Sequence, residues 1–275
     1  LAMLGREDEG VILLEESYEL ARVTGDRELQ LRCGINLPAL REQRGDRLEP
    51  LEEMSLEGLQ LARRLAASQY ITWLASNRAD HLLELGRVAE ALEHQDEAIA
   101  HAQAISFIHL GSQLCGRALF QLLRDDRESA ARDIEAAERV GIPSEAQVAG
   151  AHPLSVAMYG WDEDPRAAAD GLLAWASKHV DGKTSTYRLV VELARMALRL
   201  GDGRTLEAAA RLTELHTAFR GIPSQRARSD WVKGLVAADA DAVAAAARTF
   251  EEMSLKHQAS EAWADAAFAS GAMTT

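Results

Sequence analysis

The sequence predicts an all-α protein, a right-handed α-α superhelix of about seven helical hairpins running as one solenoid over residues 1–275. Three observations predict it. A short turn phrase recurs at Gly5, Gly45, Gly86, Asp126, Asp164, Asp202 and Asp239, at spacings of 40, 41, 40, 38, 38 and 37 residues. Two alanine- and leucine-rich segments of helical length lie between consecutive marks, and a period of this length with two helices per unit is that of an α-solenoid. The composition agrees, with 47% hydrophobic, 27% charged and only 5% aromatic residues. Such a balance suits closely packed helices better than a sandwich of strands, which draws on β-branched and aromatic side chains.

The clearest unit begins with a helix from Tyr70 to Leu85, whose Ile71, Leu74, Ala75, Leu82 and Leu85 recur near a 3.6-residue period. Gly86 ends it, because glycine adopts positive φ without penalty. A second helix from Val88 to Ala104 turns Ala91, Leu92, Ala98, Ile99 and Ala102 inward, and the small residues at 91 and 98 let two helix axes approach closely. Residues 28–66 follow the same plan. Asn36 stands nine residues before Gly45 as Asn77 stands nine before Gly86, and segments starting at Glu16, Glu57 and Glu97 align at spacings of 41 and 40. Pro50 falls near the start of its helix, where a missing N–H costs little.

Later units are more worn. Gly141 to Ser144 recurs as Gly221 to Ser224, 80 residues on. In both, glycine stops a helix, proline prevents its resumption and serine caps the next; Ser144 with Gln147 also fits a capping box. The pattern is poorest between Pro153 and Pro165, so a bend or lobe junction is expected near 150–165. A last unit from Gln258 holds one helix. With its first helix cut short at Leu1, the sequence reads as a fragment of a longer protein, open at both ends.

The charge balance restricts partners. Forty-three acidic against 30 basic residues leave a formal net charge of −13, which repels nucleic acid unless a basic patch overcomes it. Arg220, Arg226 and Arg228 are diluted by Asp230, so direct nucleic-acid binding by this segment is not expected. No apolar run approaches the roughly 20 residues that span a bilayer, so no membrane association is expected either. Cys33 and Cys115 form no CxxC and no disulfide framework, and a reducing, cytoplasmic location with both thiols as buried small hydrophobes fits best.

Few residues suggest chemistry. Gly182, Lys183 and Thr184 look like the end of a phosphate-binding loop, but that motif needs a glycine at 177, where Ser177 stands. The repeat phase instead puts a helix over Pro165 to Val180, ended by Gly182, with Thr184 or Ser185 capping the next. His94 and His101 share a helix face at i, i+7, about 10 Å apart, whereas helical metal ligands sit at i, i+4; they read as solvated-face residues. Asp80 and His81 have no serine or cysteine nucleophile at a recognisable spacing. No enzyme, cofactor or metal site is expected.

The stretch from Leu85 to Glu93 resembles the turn and second helix of a tetratricopeptide (TPR) repeat, in which a small residue follows the turn glycine by five positions. Ala91 stands so after Gly86, and Ala131 after Asp126. A period of 37–41 rather than 34 brings the chain nearer to the MalT-like helical repeats of large bacterial ATP-binding regulators. Trp231 to Met253 resembles the last repeats of those proteins, which often precede a LuxR-type helix-turn-helix; related arrays follow P-loop ATPase modules attached to class III nucleotide cyclases. The resemblance implies that first helices line a concave groove into which side chains nine residues before the turn project. Asn36, Asn77 and Arg117 hold that place, with Arg32, Trp73 and Gln113 one turn earlier. Such a set could clamp the backbone or carboxylate of an extended peptide. The implied function is a non-catalytic sensor or protein-interaction module of a multidomain bacterial transcriptional or signalling regulator, binding a partner protein, a peptide or a small effector. A structural spacer or oligomerisation element stays open as the alternative, homo-oligomers included, and a nucleotide-binding enzyme dependent on Lys183 stands behind it.

Overall fold

The structure is a computed structural model that describes residues 6–142, 150–179, 186–220 and 222–271. Among them every regular element is an α-helix. The first seven are α1 Glu7–Thr24, α2 Arg27–Arg44, α3 Leu48–Arg64, α4 Ser68–Glu84, α5 Val88–Ala104, α6 Leu110–Leu122 and α7 Arg127–Val140. The others are α8 Ala151–Gly160, α9 Pro165–Lys178, α10 Thr186–Arg199, α11 Gly203–Arg220, α12 Pro223–Ala237, α13 Ala240–Glu252 and α14 Lys256–Ala269. They form an α-α superhelix of hairpins: α2 with α3, α4 with α5, and so on to α12 with α13, flanked by α1 and α14. The recurring turn phrase is what sets these boundaries.

It does so by two chemistries. Gly45 and Gly86 take the left-handed conformation, φ +94° and +79°, and their N–H groups return to carbonyls of the helix just ended. From the fourth mark onward aspartate caps the helix that follows. Asp126 accepts from the N–H of Ser129, Asp164 from Ala167, Asp202 from Arg204 and Thr205, and Asp239 from Asp241 and Ala242. The expected capping by serine after a Gly-Ile-Pro connector is corrected at Ser224. That residue lies buried inside the first turn of α12, with Pro223 ahead of it and Ile222 at the cap without a side-chain bond. Pro143, Ser144, Gln147, Gly182, Lys183, Thr184, Ser185 and Gly221 lie outside the described residues.

The inward positions read from the clearest unit are buried except Leu92, which is half-buried. Ile71, Leu74, Ala75, Leu82, Ala91, Ala98, Ile99 and Ala102 are each at most 3% exposed. Helices pack on their sequence neighbours, and the first helices of successive hairpins also meet, α2 on α4, α6 on α8, α10 on α12 and α12 on α14. Among the described residues the contacts of α12 on α2 and α14 on α4 break this nearest-neighbour rule, as does the approach of Arg188 on α10 to Glu84 on α4. The two ends of the array therefore touch through first helices, which makes that layer the inner one. Where they touch, a Cβ on Gly45 would lie 3.1 Å from Pro223 Cβ and 3.3 Å from Met253 Sδ. The Leu48 N–H donates to the Met253 carbonyl at 3.2 Å. Leu48 and Leu51 belong to the same buried core as Trp231, Phe250, Met253 and Leu255.

Both cysteines are free and buried, Cys33 in α2 and Cys115 in α6, and burial pushes the Cys115 thiol up to about 12. No helix among the described residues is long and apolar enough to cross a membrane.

Candidate functional site

The inner layer is open near the start of α4. The 3.6-residue period sets Trp73 and Asn77 on one face of that helix, one turn apart. Asn77 Nδ2 donates to the Ile35 carbonyl of α2 at 3.0 Å, which ties the two first helices together. Asn36 Nδ2 donates to the Arg32 carbonyl of its own helix at 2.8 Å. Among the described residues the Oδ1 of each amide keeps no hydrogen bond, so both can accept. Arg32 and Asn36 are exposed, Trp73 and Asn77 half-buried; the Arg32 charge is felt by Tyr70 on α4, which places it beside the same helix.

The connection between α5 and α6 completes this surface. Ser106 takes positive φ, and the Phe107 N–H returns to the Ala102 carbonyl at 2.8 Å, which fixes the chain as it leaves α5. Phe107 and His109 then stand against Trp73, ring centroids 5.4 and 5.3 Å away and 5.3 Å from each other, in edge and tilted contacts favoured by the ring quadrupoles. Ile108 between them is 71% exposed. The result is a half-buried aromatic platform rimmed by an apolar side chain, two amide acceptors and a guanidinium.

Arg32, Asn36, Trp73 and Asn77 are brought together; Gln113 and Arg117 are not. Gln113 is 4% exposed, and Gln95 Nε2 donates to its carbonyl and its Oε1 at 2.8 and 2.9 Å. Arg117 is bound in a fork to Asp133, 2.7 Å from each nitrogen, and donates to Asp96 at 2.6 Å. Its guanidinium is thereby occupied between the second helices α5 and α7, and hydrogen bonding to Asp133 and Asp96 raises its pKa further. Phe107, Ile108 and His109 escaped the sequence reading. Their one signal was a connector, 105–109, that lacks the glycine, proline or aspartate found at the repeat marks.

Farther along α4 the inner layer closes and becomes charged. Arg188 of α10 lies 3.9 Å from Glu84 and 2.8 Å from His257 Nε2 of α14. Arg195 gathers Glu192, Glu261 and Asp265 at 2.9, 2.7 and 3.1 Å, and Trp231 Nε1 donates to Asp265 at 3.1 Å. Burial pushes Glu261 up, but Arg195, His257 and Arg188 outweigh it and hold that carboxyl below its ordinary range. The His257 imidazole is pushed down, first by burial and then by Arg188. Asp80 is exposed by area yet enclosed by this layer. Desolvation and then the Glu42 charge push its carboxyl up to about 7 against the pull of His81 and Arg188.

Two arrangements in this region resemble chemistry and fail on access. Ser55 Oγ stands 3.2 Å from His81 Nδ1, whose Nε2 is 3.6 Å from Glu42, so a serine does reach His81 despite the unpromising spacing. Ser55, however, is 0% exposed in the middle of α3, where its backbone N–H is spent on the helix and no carbonyl substrate can approach. Between Leu123, Met158, Arg188, Trp231 and Gln258 a space of about 20 Å³ remains, room for a water and not for a ligand. The solvated-face reading of His94 and His101 is corrected: both are half-buried against α4, His94 accepting from Arg78 at 3.0 Å and His101 meeting Ser68 at 3.1 Å. Among the described residues no group of His, Cys, Asp and Glu is placed to hold a metal ion.

The fold and the open platform define a class, an α-α superhelix of hairpins with an aromatic surface on its inner layer. No protein-family model matches the chain, and no curated protein is found similar to it. Among solved structures it is similar to a tetratricopeptide repeat protein from Parabacteroides merdae ATCC 43184, at 15% identity and a TM-score of 0.46, over 94% of this chain and 99% of that one. At those values the likeness carries no argument about function, and the fold rests on the helices themselves.

Proposed function

We propose that the chain is a protein-interaction module that takes an extended peptide segment of a partner on the platform formed by Arg32, Asn36, Trp73, Asn77, Phe107, Ile108 and His109. The observation that carries this reading is the edge-packed trio Trp73, Phe107 and His109, held half-open beside Ile108 on the inner layer. Aromatic side chains are costly to leave wet and are enriched where partners dock. Asn36 and Asn77 supply acceptors for peptide N–H groups and Arg32 a donor for a carbonyl or carboxylate. Gln113 and Arg117 support α6 from within. The resemblance to MalT-like repeats favours placing this module in a multidomain bacterial transcriptional or signalling regulator, as one solenoid that bends near 150–165.

The test is selection of peptides from a displayed random-heptamer library on the whole chain, followed by calorimetric titration of the selected peptides. Trp73→Ala should weaken binding at least tenfold, and Asn77→Ala several-fold, with helix content by circular dichroism unchanged. Peptides that bind both variants as tightly as the parent chain would remove the platform from the interface.

A further inference from the structure

We infer that the contact between the α2–α3 corner and helices α12–α14 is a latch, which opens and closes the superhelix while every hairpin stays folded. Leu48 and Met253 are 205 residues apart in sequence, yet their backbones are bonded. In a repeat array each hairpin draws its stability from its own core and its immediate neighbours. A contact between repeats this distant is thus additional to the stability of the units, and losing it bares Leu48 and Leu51 at the seam while the rest of each hairpin's core stays in place.

The chemistry of the contact suits reversible parting. Leu48 opens α3, so its N–H is one of the four that no helix bonds internally, and water can replace the Met253 carbonyl when the contact separates. Glu49 beside it feels the far side as well: burial pushes its carboxyl up, but Ser254, the backbone and Arg47 together bring it below its ordinary value, while its Oε2 is buried without a hydrogen bond. The remaining bridges are charged, Arg188 between Glu84 and His257, and Glu42 of α2 in the field of Arg228 of α12. Buried charged pairs recover in attraction little more than they lose in hydration, so they fix the register of the contact more than they hold it shut. One oxygen of Glu84 is buried without any hydrogen bond, a cost that opening to water relieves. What favours the closed form is apolar, the packing of Gly45, Leu48 and Leu51 into the core that includes Met253 and Leu255.

Helix α4 links this latch to the platform, since Trp73 and Asn77 lie on its first half and Asp80, His81 and Glu84 on its second. The latch does not depend on the peptide reading, because its test contains no ligand. Gly45→Asn places a Cβ 3.1 Å from Pro223 Cβ and 3.3 Å from Met253 Sδ, tighter than ordinary contact, and adds an amide beyond it in a residue that tolerates positive φ, so the turn survives while Pro223 and Met253 must move aside. Gly86→Asn is the matched control, the equivalent turn one repeat on, with nothing within 4 Å of its Cβ. Small-angle scattering of the whole chain should show a larger radius of gyration for Gly45→Asn alone, with helix content equal in all three proteins. Hydrogen exchange should rise at the Leu48 amide and leave the hairpin cores protected. An unchanged radius, or a loss of helix in Gly45→Asn that Gly86→Asn does not share, would show that the contact is part of one cooperative fold and would overturn the latch.

Discussion

Asp80 shows how position on the inner layer changes a side chain that is ordinary in sequence. Its carboxyl is raised to about 7 by desolvation and by Glu42, above the value near 3.9 of an unfolded chain. The folded protein consequently binds more protons than the unfolded one between those values, and stability falls as pH rises through that window. Asp80→Asn removes the penalised charge. Because Asp80 is exposed to water, the gain is discounted to about 1–3 °C in melting temperature at pH 8, and it should shrink towards nothing at pH 4. Calorimetric scans of both proteins across this range check it, and a gain equal at both ends would place the cause elsewhere.

At the scale of elements, the boundaries were legible because one repeat position does a job that only a few residue types can do. Glycine closes the preceding helix at Gly45 and Gly86; aspartate opens the following one at Asp126, Asp164, Asp202 and Asp239. The period survives the change from one residue to the other because both solve the problem of unsatisfied groups at a helix end. Asp126→Ala and Asp239→Ala should each cost about 1 kcal/mol, about 2–4 °C in melting temperature for a chain of this length, measurable by thermal denaturation. The platform was only half legible. Asn36 and Asn77 could be found from their offset to the turn, because α2 and α4 keep the same phase. Arg117 could not, because Asp133 on α7 lies within reach and a guanidinium satisfies a carboxylate before it faces solvent. His94 was misplaced for a similar reason, since Arg78 on the neighbouring helix supplies its donor, and a single helix face does not reveal what packs over it. Phe107 and His109 belong to a connector, where no period constrains direction.

At the scale of the molecule, local reading failed most clearly where it could not succeed. A forty-residue period describes contacts between neighbours, and nothing in it says that α12 and α14 return to α2 and α4. That return depends on the small rotation added at each hairpin, accumulated over the whole array. It converts what the period alone describes as an open trough into a layer that is wet at Trp73 and shut at Glu84. The shut part is also where charge accumulates: Glu42, Asp80, Glu84, Glu192, Glu261 and Asp265 face Arg188, Arg195 and Arg228 there. The closing surface thus sets these charges beside an apolar contact, in which Leu48 and Leu51 share a core with Met253 and Leu255.

The two buried thiols carry a consequence for how the molecule comes apart. Neither Cys33 nor Cys115 can meet an alkylating reagent in the folded chain, so each is modified only as often as its own helix loosens. A linear stack frays from its ends, and α2 would then release Cys33 well before α6 releases Cys115. Where α2 is clasped by α12 as well as held by its own hairpin, Cys33 is released no sooner than the clasp parts, and both thiols should be carboxymethylated at nearly one rate. Mass-spectrometric timing of iodoacetamide uptake at low urea separates the two. Near-equal rates are expected for the parent chain, and an early Cys33 for Gly45→Asn.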